Sequence, residues 1–557
     1  SGSLIAGIFT SFISIYLMDL FQTIILLILI ALVVRVFIQR VRNFERISGI
    51  LLMIILIVFY IIPVEDHLIK LLYPGQKIVY NEHDPYGNIV VTKSEDQINI
   101  FSNNNLMYSH DEIIKGEEIA HFPLVQATKT DTILQISGGH TGSLKEILNY
   151  TPDHIDYVEA NPGLIAVLRK YTDHLDHNKI SIISKVDAIR FLKQTRKQYH
   201  AIIVAVPPPT NLALSRYYSL GFFKQLRARL HQDGILSISL PTAADYSSES
   251  AIRLNSSLYN TLKQVFKNVK IIPGTNNYFL ASENPLSLDI PGLIKKKNMH
   301  TDYVNENYIT SEEMRMRSDL LHKEIDENLS AITTDKPNAF FYSISYWAGK
   351  FNINIKIVII LSFILLIIFL LPHTGNLGNL NMFFAGFCSA GFEIILLFKL
   401  QTGLGNLYQY SALIISLFMI GLAIGSYPFK KFNPSSPYII IIFTILLSFV
   451  GIVITIDLPQ LNGYSTLLTL YISLLTIIVS FFTGAIFRFS SEWKSRKKTD
   501  SEQDLYSSDL SGGAFGSLFS ALIFIPFAGI TGAAYLLASI LIISSLLLLF
   551  RSKVLRS

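Results

Sequence analysis

The sequence lacks most of what staples or charges a small soluble domain. One cysteine, Cys388, stands among 557 residues, so no intrachain disulfide, cysteine-rich zinc site or iron–sulfur cluster can form. Only 16% of the residues are charged, against about 25% in an ordinary soluble domain, while 50% are hydrophobic. A purely soluble protein is thereby excluded. The 46 basic and 41 acidic residues leave a net charge of +5, too little over this length to make nucleic acid an expected partner. No resident metal and no cofactor is expected, although composition leaves histidine and carboxylate ligation open.

Apolar runs of about 20 residues, enough to cross the hydrocarbon core of a bilayer, cluster at the two ends of the chain. The first extends from Leu4 to Phe37 and is interrupted by Asp19; the second is Ile47 to Ile62, followed by Pro63. Seven more follow Trp347, at 352–371, 380–400, 409–427, 438–457, 465–487, 510–528 and 531–550. Nine or ten membrane segments are expected, in an N-terminal part (1–63) and a C-terminal domain of about seven helices (346–557). Gly2-Ser3-Leu4 with the run after it parallels Gly516-Ser517-Leu518 with its own, which is read as a repeated membrane module.

Basic residues in short loops mark the cytoplasmic side. Arg40, Arg42 and Arg46 follow the first run; Lys430 and Lys431, then Lys494, Arg496, Lys497 and Lys498, then Arg551, Lys553 and Arg556 occupy alternate loops later, whereas Asp457 lies in a loop almost without them. Counting crossings from either end puts the middle of the chain outside the cytoplasm. The expected location is the cell (inner) membrane, multipass, with an extracytoplasmic soluble domain.

The middle reads as two pieces. Residues 64–125 are a β-rich lead-in, with strand runs at 77–80, 88–92 and 97–101 and a turn at Asn103-Asn104-Asn105. Residues 126–345 alternate apolar strands (132–136, 155–158, 180–183, 201–204, 234–238) with amphipathic helices, the pattern of a doubly wound α/β sheet. Gly138-Gly139-His140-Thr141-Gly142 links the first strand to a helix, where backbone N–H groups can receive a polar ligand. Glu159 ends the next strand, about 20 residues on, where an acid can bind a ribose hydroxyl.

These residues, with Asp84 through Val91, Asp111-Glu112, Tyr157-Val158-Glu159, Val186-Asp187-Ala188, Tyr199 through Val204 and Pro207 to Tyr218, resemble the spermidine synthase family over roughly residues 75–285. The resemblance implies a β-rich lead-in before a Rossmann-like, methyltransferase-type domain that binds decarboxylated S-adenosylmethionine and transfers its aminopropyl group to a polyamine. The membrane part is similar to a subgroup in which that domain is fused to transmembrane spans, through Ala385-Gly386-Phe387 to Glu393, Gly421 to Ser426 and Leu505 to Gly513. The expected fold is thus a multipass α-helical membrane protein with an inserted α/β Rossmann-like domain preceded by a small β-rich subdomain.

The departures from the family pattern bear on activity. Aminopropyl transfer needs a carboxylate beside the attacking amine, to hold it and accept its proton, and the family supplies it in an Asp-x-x-Asp-Pro stretch. Those positions here are Ala205 and Pro208, so no catalytic residue is assigned. His140 stands where the family has an aspartate against the sulfonium, Lys115-Gly116 replaces a polyamine-holding Tyr-Gln pair before Glu117, and Asn161 replaces a further aspartate. Glu159 and Asp187 match the ribose-side and adenine-side acids. The resemblance therefore makes Gly138, Gly139, His140, Glu159 and Asp187 the candidate ligand-binding residues.

Glu393 lies inside an apolar span, where an ionisable group either packs in a protein interior or lines a proton or ligand path. Lys399 is expected to snorkel outward, and Asp509 to open the 510–528 helix as an N-terminal carboxylate. Gly421 with Gly425, and Gly512 with Gly516, permit close helix contacts. The expected function is a degenerate, catalytically inactive spermidine-synthase-like domain acting as an extracytoplasmic binding or assembly module. Its expected partners are the bilayer, other membrane subunits and a nucleoside- or polyamine-like ligand. The alternatives are a membrane-bound aminopropyltransferase or related nucleoside-donor transferase, and a transporter with a sensing domain.

Overall fold

The computed structural model describes the chain except residues 1–8, 10–12, 15–16, 19, 39–41, 63, 85–86, 96, 110–112, 173–174, 242–247, 352, 406–407, 428–436, 457–464, 498–501 and 555–557. Expectations resting on Gly2, Ser3, Leu4, Asp19, Arg40, Pro85, Tyr86, Asp111, Glu112, Lys430, Lys431, Asp457, Lys498 and Arg556 lie outside the described residues. The chain forms two compact units: Ser1–Ile113 with Asn161–Asp173 and Leu407–Ser416, and Ile114–Ala160 with His174–Asn406 and Leu417–Ser557.

In the first unit, α1 (Leu20–Val33), α2 (Asn43–Ile61) and α3 (Val64–Leu72) precede an antiparallel sheet, β1 (Lys77–Asp84), β2 (Gly87–Ser94), β3 (Gln97–Ser102) and β4 (Asn105–Ser109). Asn103 and Asn104 both have positive φ, 50° and 63°, the left-handed pair that a two-residue hairpin turn requires and asparagine tolerates. Asn105, read from the sequence as part of that turn, instead begins β4. Ile69, Tyr73 and Val90 form a small core with Ile78 and Phe101. The apolar side chains of α2 are almost all exposed, an arrangement that suits lipid and not water.

The second unit contains α4 (Ile113–Leu124), continuous with the first at its start, and a seven-stranded sheet of order β10-β11-β9-β8-β5-β6-β7. The strands are β5 (Thr132–Ile136), β6 (His154–Glu159), β7 (Ile180–Ser184), β8 (Tyr199–Val204), β9 (Leu230–Pro241), β10 (Asn268–Pro273) and β11 (Asn276–Ser282). β5 to β9 run parallel, and β11 and β10 add an antiparallel hairpin on the β9 edge. Helices α5 (Ser143–Leu148), α6 (Ala188–Gln194), α7 (Leu212–Ser215), α8 (Leu220–Arg229) and α9 (Glu249–Lys263) connect the strands. The chain order reverses between β5 and β8, so the loops after these two strands flank one crevice, the usual ligand position in such sheets. The core under it contains Leu134, Ile202, Leu236, Phe222, Phe223 and Phe279, all nearly or fully buried.

Beyond Asn354 come α10 (Ile355–Leu370), α11 (Leu377–Leu404), a helix over Tyr408–Ser426, α12 (Pro437–Ile454), α13 (Ser465–Lys497), α14 (Glu502–Phe519) and α15 (Ile525–Val554). Among the described residues six helices are long and apolar enough to cross a membrane: α2, four separate ones after Asn354, and a 48-residue run, Gln503–Phe550, that contains the last two expected spans. Phe21–Phe37 and Ala412–Ser426 are shorter apolar helices, so the number by length is lower than the nine or ten segments read from the sequence.

Helix α11 is the centre of this bundle. Side chains at Gly512 and Gly516 would overlap the carbonyl oxygens of Phe383 and Phe387, so α14 lies backbone-to-backbone on α11; Gly421 and Gly425 abut Ile477 and Phe481 of α13 in the same way. Ser544 Oγ of α15 donates to Asn381 Oδ1 at 2.9 Å, and Cys388 Sγ donates to Leu537 O at 3.3 Å. Lys494 of α13 hydrogen-bonds Asn379 at the start of α11. Lys399 does not snorkel outward: its Nζ donates to Ile454 O at 2.6 Å, meeting the C-terminal carbonyl that α12 leaves without an intrahelical donor. Asp509 does not open a helix, because α14 already begins at Glu502; it lies within that helix against Gly386.

The long final run breaks at Gly529, whose φ of 78° and ψ of 175° are not helical. The start of the second half is capped from outside the bundle: Asp335 Oδ1 accepts from Thr531 N at 2.8 Å and Thr531 Oγ1 at 2.6 Å, and Ile530 N donates to Asp335 O at 2.9 Å. An aspartate before a helix satisfies a donor that has no intrahelical partner and complements the positive end of the dipole. Asp335→Ala is expected to cost about 1 kcal/mol, seen as a lowered unfolding temperature of the detergent-solubilised chain; an unchanged midpoint would deny the cap its role.

Candidate functional site

The crevice at the β5/β8 reversal is built by the turns after four strands. After β5, Ser137 (φ 58°) and Gly138 (φ 76°) turn the chain into a short 3₁₀ segment, Gly139–Thr141, and Gly142 (φ 79°) turns it again into α5. After β6 comes Glu159, and after β7 Asp187 caps α6 by accepting from Ile189 N at 2.9 Å. After β8 comes Ala205, whose N–H donates to Ile136 O at 2.9 Å and holds that turn against the glycine turn. The five candidate ligand residues are thus distributed over the carboxyl ends of neighbouring parallel strands.

Gly138 and Gly139 are packed on the side where a side chain would stand, whereas Gly142 faces open space. A side chain on Gly138 would overlap Ala205, one on Gly139 would lie 2.6 Å from the Tyr157 ring and hydroxyl, and one on Gly116 of α4 would overlap Thr141 O. At these positions glycine lets neighbouring protein atoms approach the backbone closely. Gly139 N donates to Tyr157 OH at 3.2 Å, so that amide is also engaged. The close approach at Gly116 places α4 directly on the glycine turn, which explains why the position next to Lys115 carries no side chain.

The surviving acids are engaged as well. Glu159 Oε2 accepts from Ser137 Oγ at 2.8 Å and from Tyr157 OH at 3.5 Å. Burial, then the Glu159 charge, pushes the Tyr157 hydroxyl well above its usual value, so it remains a donor. Asp187 Oδ2 accepts from Tyr217 OH at 2.6 Å and forms an ion pair with the buried Arg216. Burial works against the Arg216 charge, but the Asp187 carboxylate and Tyr217 outweigh it and hold its pKa above the ordinary guanidinium value. Arg216 Nε also donates to Ala213 O at 2.9 Å, and its guanidinium lies 5.2 Å over the Tyr217 ring.

The family's acceptor-side positions hold no carboxylate: Ala205 and Pro208 occupy the loop after β8. Glu117, next to the missing polyamine-holding pair, is buried and turned onto the backbone, accepting from the N–H groups of Asp302, Tyr303 and Val304 at 2.6, 2.9 and 2.7 Å. Its neighbour Glu118 accepts from Thr275 N and Tyr308 OH; burial raises its pKa against these bonds. Asn161 caps the helix Pro162–Tyr171 through Gly163 N at 2.8 Å. Glu393 lies in α11, away from this crevice in sequence, with no hydrogen bond or ion pair to another described residue. Sequence reasoning missed Arg216, Tyr217 and Glu118. The Ser-Arg-Tyr-Tyr run was visible, but its pairing with Asp187 depends on the β7 and β8 loops meeting.

No group of three or more potential metal ligands occurs among the described residues. His140 is 4% exposed, and its Nδ1 has no hydrogen-bond partner among the described residues. Burial first, and the Lys115 charge second, lower its pKa to about 3. A depressed histidine pKa means that the unfolded chain binds the extra proton between about pH 3 and 6.5, so this residue's contribution to stability is lost as pH falls through that window. His140→Gln should therefore flatten the fall in stability between pH 6 and 4 by up to about 1.4 kcal/mol per pH unit, measured by denaturant unfolding. Parallel curves for the two proteins would contradict the buried, neutral state.

Comparison with known proteins agrees with this geometry. Residues 112–282 match the family model of the spermine/spermidine synthase domain. Among curated relatives, polyamine aminopropyltransferase 2 of Aquifex aeolicus is 28% identical over 29% of this chain and 34% of its own, and the polyamine aminopropyltransferase of Oceanobacillus iheyensis is 24% identical over 38% and 43%. The chain therefore spans less than half the length of these relatives. A solved structure of spermidine synthase from Thermotoga maritima aligns over 45% of this chain and 87% of its own, at 19% identity and a TM-score of 0.37. The sheet, its turns and the family match together make residues 112–282 a spermine/spermidine synthase domain.

Proposed function

We propose that the chain is a multipass membrane protein whose spermidine-synthase-type domain does not transfer aminopropyl groups and serves as an extracytoplasmic binding or assembly module. The observation that carries this reading is the self-satisfied crevice: Arg216 and Tyr217 hold Asp187, Ser137 holds Glu159, and Ala205 fills the space beside Gly138. The attacking amine of a polyamine would also find no carboxylate at Ala205 or Pro208 to accept its proton. Other membrane subunits and the bilayer are the partners that suit such a module.

The orientation is supported by the way helix ends meet within the second unit. Asp335, from the soluble domain, caps the start of the α15 half that begins at Ile530. The opposite end of that half carries Arg551 and Lys553, beyond Ser544, which bonds Asn381 near the start of α11. Lys494 of α13 lies at the same level, bonded to Asn379, and in the sequence Arg496 and Lys497 follow it; basic residues at that end favour the cytoplasm.

A second reading, a membrane-bound aminopropyltransferase, is favoured by the names of the curated relatives and by the retention of Glu159 and Asp187. The purified full chain incubated with decarboxylated S-adenosylmethionine and putrescine is expected to release no thioether product above background, beside an active aminopropyltransferase control; turnover would establish the second reading. Orientation is checked separately with Asn307→Cys, an exposed site in a chain whose one native cysteine is buried. A membrane-impermeant maleimide should label it on intact cells, and labelling only after permeabilisation would reverse the orientation.

A further inference from the structure

Arg216 touches more than the acid of the crevice. α11 ends at Gly405, whose φ is 92°, and a side chain there would overlap the Arg216 guanidinium. Gly405 N donates to Gln401 O at 3.0 Å, completing the last helical turn. One buried guanidinium therefore bonds Asp187 and Tyr217 and lies against the carboxyl end of α11. Each of these has a physical reason to hold it. Asp187 supplies the counter-charge without which a buried cation is costly, and the end of α11 presents the negative pole of its dipole.

We infer that Asp187, Arg216 and Tyr217 form a joint that couples the synthase-type domain to α11, with the adenine-side acid serving as the counter-charge of Arg216 instead of as a ligand contact. The inference deepens the assembly reading of the same crevice and rests on it only for that reassignment of Asp187. It carries a regulatory consequence. Any amino-bearing or cationic group that takes Asp187 competes with Arg216, and by linkage it acts on the end of α11 with the same free energy that α11 exerts on its binding. Leu212–Ser215, the short helix directly before Arg216, receives the Arg216 Nε bond at Ala213, so the guanidinium is fixed from its own side and cannot turn away freely.

The test uses amide hydrogen exchange on the detergent-solubilised full chain, read at the α11 end, residues 401–405. Asp187→Asn removes the counter-charge without touching α11, and exchange there is expected to rise about tenfold. Asp156→Asn is the control: Asp156 is buried more deeply than Asp187 and likewise paired, with Lys197 at 2.8 Å and Tyr199 at 2.7 Å, but its hydrogen bonds and ion pairs stay within the sheet and do not reach α11. It should loosen the sheet and leave 401–405 unchanged. Tyr217→Phe, which deletes one donor to Asp187 and one acceptor from Arg216 while leaving the ion pair, should raise exchange at 401–405 about threefold and decides the matter if Asp187→Asn does not fold. A change at 401–405 that is equal in the Asp156 and Asp187 variants, or no change there in either joint variant, would overturn the joint. Neither result depends on whether the domain has aminopropyltransferase activity, so the joint and the function fail separately.

Discussion

A guanidinium removed from water must keep a counter-charge, and the placement of Arg216 follows from that requirement. Its charge is compensated by Asp187 and its remaining donors by Tyr217 and Ala213 O. Because Asp187 is also the N-cap of α6, the same carboxylate fixes the helix after β7, the loop after β8 and, through Arg216, the contact at Gly405. Removing Asp187 leaves the buried Arg216 charge unpaired, which is far more costly than losing a surface ion pair.

The rest of the crevice follows the same logic of internal satisfaction. In a sheet of this topology, the loops at the reversal of strand order leave room and unpaired donors for a ligand. Here the room beside Gly138 and Gly139 is filled by Ala205 and Tyr157, and the polar atoms of Ser137, Glu159 and Tyr157 bond one another. On the proposed reading, the absence of carboxylates at positions 205 and 208 belongs with this internal pairing. The bundle is built with comparable economy of polar groups. Close backbone approach at Gly512 and Gly516 and hydrogen bonds from Ser544, Lys399 and Lys494 hold α11 at its centre, the means available where burial of apolar surface gives no advantage over lipid.

Much of the domain was legible in the sequence because its signals are local. The runs at 132–136 and 180–183 fall on β5 and β7 within a residue, and the glycine turn lies where its spacing put it. β9 proved longer than its apolar stretch: Leu230 pairs with Tyr199, and the ladder with β8 resumes only at Ile235, across an irregularity that takes in the polar His231, Gln232 and Asp233. The β10–β11 hairpin was not read from the sequence, although Pro273-Gly274 marks its turn. Asp509 and Lys399 were misjudged for a related reason: helix starts and carbonyl partners depend on neighbours far away in sequence. The pairings Arg216 with Asp187, and Asp335 with Thr531, span 29 and 196 residues and have no local signature at all.

The central claim is that the crevice is closed by its own side chains. Titrating the purified full chain with decarboxylated S-adenosylmethionine in a calorimeter tests it most directly. The account predicts no saturable heat; a one-to-one isotherm abolished by Glu159→Gln would contradict it.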